Sequence, residues 1–390
     1  MHDKVTEFAF KISSYSRELP SLCTDIIDGR MPSLRSLRWT DCDVGPNLKD
    51  NQGLLQLLSS LQKLREVMSP KVFLGSKFLK ALSSLPELEV IQPEYDNLGR
   101  LPFNMKPPLK CTLQEGAFPK LYDLRLNSNL DDIRVYLTGG ALLPRLRNLS
   151  VESDDPELPL TVQQFLTDVT RCYPTLEMVS MDVIVSIEEQ DECKPLSREH
   201  LIPILSLEQL TCLELRHNQP LQISEVDLAE FGAALPALEK LILNPEPLQL
   251  TRPEITLHSL LIVAQHFPNL SYLGIYLDAQ CTTPMPYSPA MTRLFPGLLT
   301  LHMGISPIAS DSEVPVAIFL SHILSENKKL TIKSGISWNR TLFRESPTYS
   351  ATVKNRRSKW DRVVSFLPVI LQVRKEFEKE VEDLRMKKSR

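Results

Sequence analysis

Phe118-Pro119-Lys120-Leu121-Tyr122-Asp123-Leu124-Arg125-Leu126-Asn127-Ser128-Asn129 is the stretch that decides how this chain reads. Leucines stand at 121, 124 and 126 and an asparagine closes the phrase at 129, giving L-x-x-L-x-L-x-x-N behind an aromatic–proline lead-in. With Leu121 as anchor, equivalent anchors recur at Leu34, Leu64, Leu88, Leu146, Leu176, Leu210, Leu238, Leu270 and Leu298. Proline stands two residues before the anchor at Pro32, Pro86, Pro119, Pro144, Pro174, Pro236, Pro268 and Pro296. Eight of ten is far above the roughly 5% average usage of proline, so these prolines mark a recurring joint and not a flexible linker.

A phrase of this form returning every 24 to 34 residues is the signature of a leucine-rich repeat. From the third position after the anchor the apolar residues alternate, so residues at +3 and +5 share one face of a strand and those at +2, +4 and +6 the other. Helical spacing fills the intervals. Val162, Phe165, Leu166, Val169 and Tyr173 follow it, as do Leu257, Leu260, Leu261 and Ala264, and Val316, Phe319, Leu320, Ile323 and Leu324. Thr161, Thr256 and the pair Ser224 and Asp227 read as helix starts, the last as a capping box. Each helix then meets a proline that cannot continue it.

The expected fold is therefore α/β: a leucine-rich-repeat solenoid, or horseshoe, with a parallel concave sheet and outer helices. Residues 1–30 read as an N-terminal cap or degraded repeat, 31–335 as about ten irregular repeats, and 336–390 as a C-terminal cap with a charged helix. Trp360, Val363, Val364 and Leu367, then Ile370, Val373, Phe377, Val381 and Leu384 beyond Pro368, form the apolar stripe of that helix. Residues 329–332 read as a last strand. The irregular stretches 92–116, 183–197, 244–253 and 279–289 are expected to be surface loops. At position +8, Cys42, Asn129, Asp154, Asn218 and Asp278 are placed to bond the backbone of the turn after the strand.

The 390 residues carry a formal net charge of −4, unevenly spread. Residues 354–390 hold 12 Lys+Arg against 6 Asp+Glu, a net of +6. Lys354, Arg356, Arg357, Lys359, Lys387 and Lys388 could form a nuclear signal or a phosphate-binding strip, but interleaved acids favour a solvated helix face. Seven scattered cysteines without C-x-x-C, no signal peptide and no apolar run of 18 residues place the chain in the cytosol or nucleus.

No two glycines are two apart, which excludes G-x-G-x-x-G, and neither a P-loop nor G-x-S-x-G occurs. The seven histidines form no H-E-x-x-H, and no Cys/His spacing suits zinc. The chain thus reads as a binding protein and not an enzyme. No cofactor, metal, membrane or nucleic-acid partner is expected. The expected partner is a protein held on the concave face, with Arg38, Arg125, Glu152, Asp182, Arg216, Tyr272, Tyr276 and His302 as contact residues. Tyr272, Tyr276 and His302 are expected to make an aromatic patch there, since Arg and Tyr dominate protein-binding hot spots.

The Leu- or aromatic-Pro-x-Leu-x-x-Leu phrases at Leu121, Leu146, Leu238, Leu270 and Leu298, the uneven repeat lengths, and Asn355-Arg356-Arg357-Ser358-Lys359-Trp360 running into Phe366-Leu367-Pro368 carry a family resemblance. From about Met31 onward the chain resembles the leucine-rich-repeat F-box proteins of mushroom-forming fungi. The resemblance implies the substrate-recognition part of a Skp–cullin–F-box ubiquitin ligase, in which the F-box docks on the Skp adaptor and the repeats hold the target. Here only Leu19-Pro20 and Ile26-Ile27 echo an F-box before the first repeat. The expectation is therefore repeats without an F-box, with a Skp adaptor as partner only if an F-box lies upstream. The alternative is a plain protein-binding scaffold outside any ligase.

Overall fold

A computed structural model describes residues 4–12, 31–41, 52–94, 109–185, 193–280, 294–324, 330–336 and 346–388. The chain forms two compact units, the first built mainly from residues 1–194 and 199–210, the second mainly from 211–338 and 343–390. Each is an α/β repeat array with an open parallel sheet.

In the first unit the strands are β1 (Glu7–Ile12), β2 (Ser36–Asp41), β3 (Glu66–Ser69), β4 (Val90–Pro93), β5 (Asp123–Asn127), β6 (Asn148–Glu152) and β7 (Met178–Val183). Consecutive strands pair in parallel. Helices α1 (Gln52–Ser60), α2 (Ser76–Leu82), α3 (Leu130–Thr138) and α4 (Pro159–Cys172) connect them. In the second unit β8 (Cys212–His217), β9 (Lys240–Leu243), β10 (Tyr272–Ile275), β11 (Thr300–His302) and β12 (Thr331–Lys333) pair the same way. They alternate with α5 (Glu225–Ala234), α6 (Ser259–His266) and α7 (Glu313–Ile323), and α8 (Pro347–Lys388) follows.

All ten anchors are followed, two residues later, by the first residue of a strand, and β1 and β12 flank those ten. The anchors and every +3 side chain are buried. The proline joint has a physical form. The amide of the anchor donates to the carbonyl three residues back, as Leu176 does to Tyr173, Leu238 to Leu235 and Leu270 to Phe267, at 3.2–3.3 Å. Proline thus occupies the second position of a β-turn, where its fixed φ suits the turn. The residue before it also closes the helix. Tyr173, Leu235 and Phe267 adopt nearly one conformation (φ −129, −120 and −122°; ψ 62, 61 and 71°), outside the helical region that a following proline disfavours.

The helix starts divide. Ser224 and Asp227 do form a reciprocal capping box, Ser224 N–H donating to the Asp227 carboxylate at 2.7 Å and Asp227 N–H to Ser224 Oγ at 3.3 Å. Helix α4 begins before Thr161, with Pro159 in its first turn, because proline there lacks only an N–H that would have had no partner. In α6 the inward row is Leu260 and Val263 leading to Phe267, while Leu261 and Ala264 stay half-exposed. At +8, Asn129 Oδ1 accepts from Asp132 N–H at 2.8 Å and caps α3, and Asp278 Oδ1 accepts from Gln280 N–H at 2.9 Å. Cys42 lies outside the described residues.

Helix α8 crosses the loops that follow β9, β10 and β11 and packs along α7. Trp360 is fully buried and its indole N–H donates to the Ser306 carbonyl at 2.9 Å. The Tyr349 hydroxyl donates to the Pro247 carbonyl at 3.1 Å, and Lys359 to that of Ile308 at 3.2 Å. Residues 244–248, expected as surface loop, are in consequence buried. The helix continues through Pro368. Before it, Val363 and Leu367 are buried; beyond it, Val373, Phe377 and Leu384 of the same stripe are exposed.

Candidate functional site

The sheet face opposite the buried +3 side chains is where the repeats present +2, +4 and +6, and the ladder keeps equivalent positions in line. Asp123 pairs with Asn148 and Asn148 with Met178; Arg125 pairs with Ser150 and Ser150 with Ser180; Glu152 pairs with Asp182. Parallel neighbours stand about 4.8 Å apart, so each position becomes a row across the sheet.

In the first unit this face is open. Arg38 on β2 is exposed, donates from Nε to the Met68 sulfur at 3.0 Å and lies 3.4 Å from the Glu94 carboxylate. Arg125 is half-buried, 3.8 Å from Asp123. Burial pushes the Asp123 carboxyl up, against the pull of Arg125 and hydrogen bonds from Asn148 and Gln92. Glu152 is held by Lys71, reaching from the turn after β3, at 2.7 Å. Asp182 accepts from Ile184 N–H at 3.2 Å. Ser150, Met178 and Ser180 are half-exposed between them.

In the second unit the face is partly closed. Arg216, Tyr272, Tyr276 and His302 are gathered there, but in unequal positions. Arg216 contacts Glu214 at 2.9 Å and Glu246 at 3.6 Å. Burial raises the Glu214 carboxyl, yet Arg216 and Lys240 outweigh it and hold the group below the usual range. His302, 1% exposed, sets Nε2 3.0 Å from the carboxylate of the equally buried Glu246. Tyr276, 3% exposed, donates to the Thr251 carbonyl at 3.0 Å and accepts from Arg356 of α8 at 3.1 Å. Tyr272 alone of the three keeps surface, its ring between the ammonium groups of Lys240 at 5.5 Å and Lys333 at 5.7 Å. The aromatic patch is thus divided: α8 and the 244–253 loop take Tyr276 and His302 into the core.

Sequence reasoning missed Glu214, Lys240 and Glu246 as members of this network. Glu214 and Lys240 occupied the expected face, but only the fold shows that they meet across β8 and β9, with Lys240 3.2 Å from Glu214. Glu246 lay in a proline-rich loop with no periodic signal.

Among the described residues no group of three or more His, Cys, Asp or Glu could hold a metal ion. No described helix is long and apolar enough to cross a membrane. The arrangement is a polar, mixed-charge surface on a rigid sheet, with side chains pre-positioned by the ladder.

No protein-family model and no curated protein matches the sequence. Among solved structures, a Bacteroides fragilis protein is similar at 15% identity and a TM-score of 0.34, over 57% of this chain and 76% of that one. A chain of the yeast Rad7 and Elc1 complex is similar at 12% identity and a TM-score of 0.30, over 81% of this chain and 87% of that one. Both likenesses are low, and the functional reading rests on the chain's own residues.

Proposed function

We propose that the chain is a non-catalytic, protein-binding leucine-rich-repeat module whose open sheet face is the contact surface. The supporting observation is the rank of half-exposed side chains on β5, β6 and β7, where Arg125, Asn148, Ser150, Glu152, Met178, Ser180 and Asp182 are aligned by one ladder. A surface ordered before binding loses little conformational freedom on association. Its mixed charge suits a protein partner better than a nucleic acid, which would call for a basic face.

Within that class, the resemblance to fungal leucine-rich-repeat F-box proteins supports a substrate-receptor role in a Skp–cullin–F-box ubiquitin ligase. In that role the repeats hold the target, and a Skp adaptor is a partner only if an F-box lies upstream. A scaffold outside any ligase is the second reading. It is favoured by β1, which places Glu7–Ile12 in the sheet, inside the stretch where an F-box would otherwise stand.

The test is affinity purification of the full-length native product beside an Arg125→Glu/Asp182→Arg variant. A protein retained by the wild type and lost from the variant supports the module. A Skp adaptor in the same eluate supports the ligase, and its consistent absence the scaffold. Identical partners with wild type and variant would refute the open face as the contact surface.

A further inference from the structure

The +1 residues, just after each anchor, form a second organised row. In every described repeat junction of the first unit, the amides at +1 and +2 donate to one carbonyl, that of the +1 residue in the preceding repeat. Arg65 and Glu66 donate to Arg35, Glu89 and Val90 to Arg65, Tyr122 and Asp123 to Glu89, Arg147 and Asn148 to Tyr122, and Glu177 and Met178 to Arg147, all at 2.7–3.2 Å. Arg35, Arg65, Glu89, Tyr122, Arg147 and Glu177 therefore stand in single file along the edge where the strands begin.

At Tyr122 this edge opens into a depression of about 490 Å³, lined by Glu89, Lys120, Tyr122, Pro144, Arg145 and Arg147. The charges around it are largely settled. Lys120 grips Glu87 at 2.7 Å, Arg65 lies 3.6 Å from Glu89, and Arg147 lies 3.7 Å from Glu177 while donating to the Thr175 carbonyl at 3.0 Å. Arg145 is different: it is exposed and, among the described residues, within ion-pair distance of no carboxylate. Beside it, Tyr122 is 41% exposed. Burial and the carboxylates of Asp123, Glu89 and Glu66 push its phenol up, and like any tyrosine at neutral pH it keeps its proton to donate.

We infer that this depression binds an oxyanion-bearing side chain of a polypeptide partner. Arg145 supplies the planar, bidentate donor pair that matches a carboxylate or phosphate. The Tyr122 hydroxyl is a second donor, and Pro144 with the tyrosine ring offers an apolar wall to the neighbouring peptide. Lys120 and Arg147 are tethered to Glu87 and Glu177 and do not compete for the same contact, and Glu89 on the lining leaves Arg145 as the cation that an incoming oxyanion would pair with. The inference deepens the protein-binding reading and rests on it, but places this contact on the strand-start edge and not on the open face.

Fluorescence anisotropy with three labelled peptides, identical but for a central phosphoserine, glutamate or glutamine, tests it on the full chain. The phosphoserine or glutamate peptide is expected to bind and the glutamine peptide to bind at least tenfold more weakly. Arg145→Glu should reduce anionic-peptide affinity about ten- to a hundredfold, the scale of a lost hydrogen bond to a charged group. Tyr122→Phe should reduce it less. Whichever anionic peptide binds tighter identifies the source of the oxyanion. Equal binding of all three, binding by none, or an Arg145→Glu variant as tight as wild type overturns the inference. Arg145 is exposed, so an unchanged thermal melt verifies that the variant folds. If no peptide binds while Arg125→Glu/Asp182→Arg still releases a partner, this inference fails and the open-face reading stands.

Discussion

His217 at the end of β8 is held in a form that acid should destroy. The ring is buried, its backbone N–H donates to Asn244 Oδ1 at 3.0 Å, and its Nδ1 accepts from Gln219 N–H at 3.0 Å. Burial pushes the imidazole down from 6.5 to about 4, against a smaller opposing pull from the Gln219 carbonyl. The fold therefore keeps it neutral where an unfolded chain would take up a proton. Between about pH 6.5 and pH 4 the unfolded state binds more protons, so stability falls as pH falls through that window. A drop from 6.5 to about 4 corresponds to about 3 kcal/mol between neutral pH and pH 4. The assay is urea unfolding of wild type and His217→Gln at pH 7.5, 6, 5 and 4. Carboxylates such as Glu214, whose depressed titration costs stability at still lower pH, are common to both proteins and cancel in the difference. Wild type should lose about 3 kcal/mol more than the variant across the series. Parallel curves, or an imidazole NMR titration near pH 6.5 in the folded protein, would refute the reasoning.

Two further outcomes follow from the packing of the second unit. Trp360→Ala should lower stability by about 3–5 kcal/mol and Trp360→Phe by less, read from urea midpoints, because the indole fills a closed site and bonds the Ser306 carbonyl; a wild-type midpoint for the alanine variant would show that α8 does not dock there. Gly304 has φ +51°, and a Cβ on it would lie 1.9 Å from the Pro245 carbonyl oxygen. Gly304→Ala should therefore cost at least the ~1–3 kcal/mol of a strained backbone, seen as a depressed Tm, whereas an unchanged Tm would mean that the turn between β11 and α7 can relax.

What the sequence made legible is what the chain decides locally. Alternating leucines and a proline two residues before the anchor placed the starts of ten strands, because a strand face and a β-turn each need only a few adjacent residues. The Ser224 and Asp227 capping box was legible for the same reason. The burial of Tyr276 and His302 was not, because it depends on Arg356 and the rest of α8, many residues later in the chain. The exposed stripe beyond Pro368 shows the converse: Val373 and Phe377 have the spacing of core residues but no surface of the described fold to meet. The strand-start row was invisible for another reason. Its residues share no side-chain type, and only the backbone hydrogen bonds align them.

The doubly accepting carbonyls of Arg35, Arg65, Glu89, Tyr122 and Arg147 have a consequence for how such a chain can vary. Each repeat receives its phase from its predecessor through a single oxygen atom at the beginning of its strand. Whatever length the preceding loop and helix have, the count restarts there. Insertions and deletions are thus absorbed before the next carbonyl and do not accumulate, which is how intervals from 24 to 33 residues coexist in the regular sheet of the first unit. One rim of the array is a fixed baseline, and the opposite rim carries the variation in length.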